Sequence, residues 1–222
     1  MFKFQKICAA AITGLTLLAA GNASATVITD DQELQNWTTL QPAGGDKIFT
    51  LIDYNTFPGD VDAIASWNDN ATPLDLTDDV YSLTLGGASM SSLAAGVYEL
   101  RYSIAITGPM FFATAALDST HAANDVSITK EVFSDAAFTN SIMNTLNSMN
   151  GVPDPANAFT APFQTIYVRD TLTISNGGQL ESLSNTFTQT EQIINAVPEP
   201  SSLALLGLGG LGMIYRLRRR SK

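Results

Sequence analysis

Few residue types in this sequence can act as a nucleophile or as a general base. His121 is the only histidine among the 222 residues, and Cys8 is the only cysteine. A serine nucleophile of the hydrolase type would need a G-x-S-x-G turn, which segment 87–91 (GASMS) fails at its last position. His121 lies in the polar segment 119–124 (STHAAN), which predicts a surface loop. We therefore expect neither a Ser-His-Asp triad nor a histidine-rich metal site.

Carboxylates are the remaining candidates for catalysis. Hydrolysis of a glycosidic bond needs only two Asp or Glu side chains at a suitable separation. The 21 acidic residues provide many such pairs, and the sequence singles out none of them. A secreted polysaccharide-active enzyme is therefore the alternative, and a protein without enzymatic activity is the interpretation that we favour.

Acidic and amide side chains are concentrated between residues 60 and 79, a region rich in loop formers. Calcium takes about six to eight oxygen ligands, so such a cluster is able to bind it. Asp60, Asp62 and Asp69 are the calcium candidates, although Ile64 interrupts the ligand spacing of a calcium-binding loop. An ordinary solvated acidic surface is the alternative, and we expect no other cofactor. Trp37 and Trp67 are either sugar-stacking platforms or core residues.

Charge is distributed very unevenly along the chain. All 21 acidic residues lie between Asp30 and Glu199, and the same region holds only four basic residues, which gives it a formal charge of −17. These four are Lys47, Arg101, Lys130 and Arg169. Because a region with this charge repels polyanions, we expect no binding to nucleic acid.

The N-terminal residues have the pattern of a secretory signal peptide. Lys3 and Lys6 precede an apolar run at 7–20, and the small residues Ala23 and Ala25 follow it. The run of roughly 14 residues is short for a membrane span. We therefore predict a signal peptide over residues 1–25, export by the Sec machinery and a mature chain that begins at Thr26. That mature chain would contain no cysteine, which excludes disulfides and thiolate chemistry from it.

A second apolar segment lies near the C-terminus. Residues 201–217 are uncharged up to Arg216, and the roughly 15 uncharged residues would extend about 22 Å as a helix, against a bilayer core of about 30 Å. Local thinning of the bilayer, together with snorkelling of the basic side chains to its surface, can compensate for the missing length of the helix. Basic residues directly after a short apolar helix hold its end on the cytoplasmic side, which favours a transmembrane helix over a buried core helix. The residues of this membrane stop signal are Arg216, Arg218, Arg219 and Arg220.

The motif before this segment resembles a known sorting signal. Pro198, Glu199 and Pro200 form a rigid, extended Pro-Glu-Pro stretch that is followed by the apolar segment and then by the basic cluster. This order of parts resembles the PEP-CTERM sorting signal. The resemblance implies recognition by an exosortase, which is a transpeptidase-like membrane enzyme, and an association with exopolysaccharide and biofilm. It also implies a protein held briefly in the inner membrane before it reaches the cell surface or the extracellular matrix. A plain tail-anchored membrane protein is the alternative.

Between the two ends, several segments alternate between apolar and polar residues, as half-buried strands do. In segment 165–174 (TIYVRDTLTI) Asp170 interrupts the apolar face. The other predicted strands are 47–54, 80–85, 97–107 and 110–117. Segment 185–195 is interpreted as the exit into a linker. One short helix is predicted over 135–150, capped by Ser134 and ended by Gly151 and Pro153.

Short strands with glycine turns and no alternation with helices predict an all-β fold, an antiparallel β-sandwich of the jelly-roll or Ig-like type. The predicted organisation is a signal peptide (1–25), a β-sandwich ectodomain (26–190), a linker that carries Pro-Glu-Pro (191–200), a transmembrane helix (201–217) and a basic cytoplasmic tail (218–222). Its expected function is structural or adhesive.

Overall fold

A computed structural model describes residues 27–72, 75–123, 125–175 and 177–191 of the chain. Within these ranges the chain forms β-strands and one short 3-10 turn, Met90–Ser92. The first strands are β1 (Val27–Glu33), β2 (Thr39–Leu40), β3 (Lys47–Asp53), β4 (Asp62–Asn68), β5 (Val80–Gly86) and β6 (Gly96–Ile106). They are followed by β7 (Met110–Ala123), β8 (Val126–Phe133), β9 (Leu146–Met149), β10 (Val152–Pro153), β11 (Asn157–Ala158), β12 (Thr165–Ile174) and β13 (Gln179–Glu191).

The strands form two antiparallel sheets that pack face to face. The first sheet has the order β1-β4-β5-β13-β7-β11, and the second has the order β10-β9-β8-β12-β6-β3-β2. The last two long strands therefore lie in opposite sheets, with β12 between β8 and β6 and β13 between β5 and β7. This confirms the predicted all-β sandwich.

Alternation of apolar and polar residues explains why these segments form half-buried strands. In β6, Tyr98, Leu100 and Tyr102 are buried, while the residues between them are partly exposed. Strand β12 has the bounds that its sequence pattern predicts, and β3, β5 and β6 agree with the prediction to within a residue at each end. Strand β7 continues six residues beyond the predicted end, through His121, so the prediction of a surface loop there is wrong.

Aromatic and aliphatic side chains from both sheets fill the space between them. Phe49 of β3 contacts Phe187 of β13 across this space, with ring centroids 6.4 Å apart, and Phe187 also contacts Phe112 of β7. All three side chains are buried. Burial of this apolar surface is the main force that holds the sheets together.

The short helix predicted over 135–150 is wrong, since the structure has a turn followed by a strand. The Asp135 carboxylate accepts hydrogen bonds from the backbone N–H groups of Ala137 (3.0 Å) and Asn140 (2.7 Å), which closes the turn. Strand β9 then pairs with β8, and its residues alternate strictly between buried and exposed. The many Asn, Ser and Thr residues of this segment favour such local hydrogen bonds over a helix.

The two predicted targeting segments, 1–25 and 201–217, lie outside the described residues. In the part of the chain that the structure describes, no helix is long and apolar enough to cross a bilayer.

Candidate functional site

Two sets of residues predicted from the sequence lie outside the described ranges. They are the signal-peptide cleavage residues Ala23 and Ala25, and the C-terminal residues Pro198, Glu199, Pro200, Arg216, Arg218, Arg219 and Arg220. The last described residue before the C-terminal set is Glu191, at the end of β13. Strand β13 is therefore the element of the folded body that leads to the Pro-Glu-Pro motif.

The calcium candidates do not converge on one point of the fold. Asp60 and Asp62 are exposed at the start of β4, whereas Asp69 follows the end of that strand. A strand rises about 3.3 Å per residue, so roughly 20 Å separates the two groups. The Asp69 carboxylate accepts a hydrogen bond from the backbone of Ala71 at 3.0 Å, within a turn. Among the described residues, no group of three or more His, Cys, Asp or Glu side chains is placed to hold a metal ion.

The two tryptophans belong to the interior of the sandwich rather than to an open platform. Trp37 is buried, and its indole N–H donates to the carbonyl of Phe49 at 3.3 Å. Trp67 is partly buried and stacks on Tyr81 with an angle of 18° between the rings.

A surface groove of about 610 Å³ lies beside the end of β13. Its lining includes the partly exposed side chains of Phe111 of β7 and Phe159, together with threonine hydroxyl groups and one carboxylate. The residues that line it are Phe111, Phe112, Ala113, Thr114, Ala158, Phe159, Thr160, Ala161, Pro162, Thr190 and Glu191. The groove thus combines partly exposed aromatic rings with threonine side chains, which are groups able to contact a sugar chain.

Polar side chains also meet inside the sandwich, in a set that we name the Lys130 cluster: Lys130 of β8, Asp170 of β12, Asn185 of β13 and Tyr102 of β6. Lys130 and Asp170 are directly opposite each other in neighbouring strands. Asn185 reaches Asp170 from the other sheet, and its Nδ2 donates to Asp170 Oδ2 at 2.6 Å. All four side chains are buried, with at most 1% of any of them exposed.

Burial dominates the electrostatics of the Lys130 cluster. It lowers the pKa of the Lys130 amine and raises the pKa of the Asp170 carboxyl, although the attraction between the two groups opposes both shifts. Burial, and the charge of Asp170, raise the pKa of the Tyr102 hydroxyl well above its usual value. Among the described residues, Tyr102 Oη, Asp170 Oδ1 and Asn185 Oδ1 have no hydrogen-bond partner. Such unpaired buried atoms are uncommon in folded proteins, because each one loses its hydration without replacement.

A second buried amine lies at the start of β3, in what we name the Lys47 cluster: Lys47, Asp46, Asp79 and Gln189. Lys47 Nζ donates to Gln189 Oε1 and to Asp46 Oδ1, the latter at 3.2 Å. It also lies 3.5 Å from the centre of the Tyr81 ring. Burial lowers the pKa of Lys47 to about 8, against the opposing effect of Asp46, and burial raises the pKa of Asp79.

These buried residues were not identified as a site from the sequence, although one signal was present. Asp170 interrupts the apolar face of segment 165–174, and a charge at an inward position is costly unless it has a partner. Lys130 occupies the same kind of inward position in β8. Asn185 falls in the segment that was interpreted as the start of a linker, whereas the structure places it within β13.

The C-terminal segment is recognised by comparison with protein families. Residues 196–220 match the model of the PEP-CTERM protein-sorting motif. The chain carries a C-terminal PEP-CTERM motif. This motif implies an exported protein that an exosortase-type membrane enzyme processes while it is anchored in the membrane, before display at the surface. No curated protein matches the sequence.

Proposed function

We propose that this PEP-CTERM protein is a non-enzymatic component of the cell surface or extracellular matrix, where it has a structural or adhesive role through contact with exopolysaccharide. The observation that carries the proposal is the PEP-CTERM motif, which directly follows the β-sandwich body. Export through the Sec machinery and a transient stay in the inner membrane belong to the same proposal.

The groove beside β13 supports a contact with sugar chains. Its partly exposed Phe111 and Phe159 rings offer apolar faces, and Thr114, Thr160 and Thr190 offer hydroxyl groups. Aromatic faces flanked by hydrogen-bonding groups suit the alternating apolar and polar faces of a sugar ring.

The positions of the carboxyl groups favour binding over hydrolysis. A glycosidase needs two carboxyl groups on either side of the scissile bond. Glu191 is the one carboxylate among the described residues that line the groove. Among the described residues, burial raises the pKa of two carboxyl groups, Asp79 and Asp170, and both side chains are too deeply buried for a polymer to reach them.

Incubation of the purified exported protein with the exopolysaccharide of its host tests the proposal. We expect saturable retention of the protein on the polymer and an unchanged polymer length. Shortening of the polymer would support the enzymatic alternative, and the absence of retention would contradict the adhesive role.

A pair of substitutions tests the groove itself. Ala158→Trp places a large side chain in the groove, so we expect it to weaken retention several-fold. Ala136→Trp is the matched control, because Ala136 is exposed in the turn after β8 and does not line the groove. Equal retention of the two variants would exclude the groove as the binding surface.

A further inference from the structure

Three side chains with complementary chemistry meet in the Lys130 cluster: an amine, a carboxyl group and a carboxamide. Asp170 contacts the carboxamide of Asn185 at 2.6 Å and faces Lys130 in the neighbouring strand. The Lys130 side chain crosses the interior, and its Nζ donates to the carbonyl of Ala116 at 2.9 Å. Ala116 lies in β7, opposite Thr186 of β13. The amine therefore reaches the opposite sheet at Ala116, whose partner Thr186 directly follows Asn185 in β13.

The environment of the amine suits a nucleophile. Lys130 Nζ lies 4.4 Å from the centre of the Phe187 ring and is shielded from water. Burial favours the uncharged amine and the protonated carboxyl group, and only an uncharged amine has a lone pair available for attack. Asn185 Oδ1 lacks a hydrogen-bond partner among the described residues, and the Tyr102 hydroxyl is a further polar neighbour of the Asp170 carboxyl group.

We propose that Lys130 and Asn185 form an intramolecular amide cross-link between the two sheets, with Asp170 transferring the protons. Lys130 Nζ attacks Cγ of Asn185, while Asp170 gives its proton to the carbonyl oxygen of the amide. The Asp170 carboxylate then takes a proton from Nζ and passes it to Nδ2 of Asn185, its hydrogen-bond partner. The bond between Cγ and Nδ2 breaks, ammonia leaves, and the hydroxyl proton returns to the Asp170 carboxylate as the carbonyl is restored.

The reaction balances without a further reactant. One amine and one primary amide become one secondary amide and one molecule of ammonia, nothing is oxidised or reduced, and Asp170 returns to its protonated state. The cross-link also removes the unfavourable burial of an ionisable amine. It is independent of the sugar contact proposed above.

The Lys47 cluster serves as an internal comparison, since its groups are already committed. Lys47 pairs with the carboxylate of Asp46 at 3.2 Å, which favours the charged amine. The carboxamide of Gln189 is held at both ends, because Oε1 accepts from Lys47 and Nε2 donates to the carbonyl of Leu76 at 2.6 Å. We therefore assign the cross-link to Lys130 alone.

The position of the cross-link suits an anchored protein. It would join β8 to β13, and β13 ends at Glu191, shortly before the sorting motif that starts at residue 196. A pull on the anchored tail would first act on β13. A covalent bond to the opposite sheet would prevent this strand from being pulled out of the sandwich, in a body whose predicted mature chain has no cysteine for a disulfide.

Peptide mapping of the exported protein, purified from its host and digested with trypsin after denaturation, tests the proposal. Trypsin cleaves after a lysine only while its side-chain amine is unmodified. We expect peptide 102–169 to remain uncut at Lys130 and to be joined to the peptide that begins at Asp170. The joined species should be lighter than the sum of its two parts by one ammonia. Complete cleavage after Lys130, together with an unlinked Asn185 peptide of unaltered or deamidated mass, would overturn the proposal.

Two variants test whether the cross-link depends on Asp170 and not on the other buried lysine, Lys47. Asp170→Asn keeps the shape of the side chain but removes its acid, so we expect cleavage after Lys130 to be restored. Lys47→Met is the matched control and should retain the branched peptide, in which peptide 102–169 is joined to the peptide that begins at Asp170. A branched peptide in Asp170→Asn, or its loss in Lys47→Met, would contradict the assignment, while the map of the parent protein decides the cross-link itself.

Discussion

At the scale of single residues, the unusual feature of this protein is that charged and amide side chains occupy inward positions of its strands. The alternation of burial along the strands predicts apolar side chains at three positions that hold polar ones: Lys130, Asp170 and Asn185. Burial of such groups is unfavourable unless they are paired. Apolar packing elsewhere must therefore offset the free-energy cost of burying them. The aromatic residues around them supply that packing.

The buried Lys47 predicts a dependence of stability on pH. Its pKa is lowered from 10.5 to about 8 in the folded protein, so between these values the unfolded chain binds more protons than the folded one. The free energy of unfolding of the parent should therefore rise with pH in this window. From pH 8 to about 9.5, the contribution of Lys47 amounts to about 1–2 kcal/mol.

Urea denaturation at a series of pH values measures this effect. Lys47→Met has no amine at this position, so its stability should rise less over the same range than that of the parent. The raised pKa of Asp79 acts in the opposite direction, because it makes stability fall as the pH rises from 3.8 through the folded value. Equal slopes for the parent and Lys47→Met would show that Lys47 is not buried as described.

At the scale of elements, the turn between β2 and β3 connects the two sheets by packing. Gly44 in this turn has φ +84°, and a Cβ atom there would lie 2.8 Å from Cζ3 of Trp67. The next turn residues approach Tyr81, whose hydroxyl accepts a hydrogen bond from the backbone of Asp46 at 3.0 Å. A turn attached to the second sheet therefore packs on a tryptophan–tyrosine pair of the first sheet.

Two glycine substitutions separate backbone strain from this packing. Gly177 has nearly the same φ, +83°, but a Cβ atom added there would have no neighbour within 4 Å among the described residues, so Gly177→Ala carries only the backbone penalty. We expect Gly177→Ala to lose about 1 kcal/mol of stability and Gly44→Ala to lose about 2–4 kcal/mol, as the clash with Trp67 adds to the strain. Denaturant titration of both variants measures the difference, and equal losses would show that the turn does not pack on Trp67.

At the scale of the whole molecule, the β-sandwich and the PEP-CTERM motif are parts with separate roles. The motif at 196–220 implies sorting and processing by an exosortase-type enzyme, and the described fold of residues 27–191 does not include it. Changes in the motif should therefore alter where the protein goes without altering how its body folds.

Substitution of the Pro-Glu-Pro residues tests this separation. Two prolines limit the conformations that the segment loses when it binds an enzyme cleft, and Glu199 offers a charge to a basic group there. We expect Glu199→Ala, and the double change of Pro198 and Pro200 to Ala, to leave a full-length, membrane-bound chain with a folded body. Cell fractionation with antibodies against the body and against a C-terminal tag measures the outcome.

Gln192→Ala is the matched control, because it changes the same linker outside the matched residues 196–220. This variant should be trimmed and released like the parent. Trimming and release of the Pro-Glu-Pro variants as well would mean that the motif is only a linker.

The amino-acid sequence by itself determined the sorting motif and the class of fold. The motif is local, since its prolines, apolar run and basic cluster are consecutive in the chain, and a family model recognises it in 25 residues. The alternation in β6 and β12 is also local, because the two faces of a strand depend only on every second residue. The helix predicted over 135–150 was wrong because pairing with β8 selected the strand, in which Leu146 is buried and Met149 is exposed.

Only the tertiary structure decided which inward residues meet. Alternation shows that Asp170 faces inward but not that β8 lies beside it or that β13 lies opposite it. Those contacts join residues 130, 170 and 185, which are far apart in the chain, and they depend on the order of strands in both sheets. Strand order results from the packing of the whole core, which no short segment encodes. For this reason the sequence revealed where the protein is sent, and the fold revealed the buried amine, carboxyl group and amide from which we infer a cross-link.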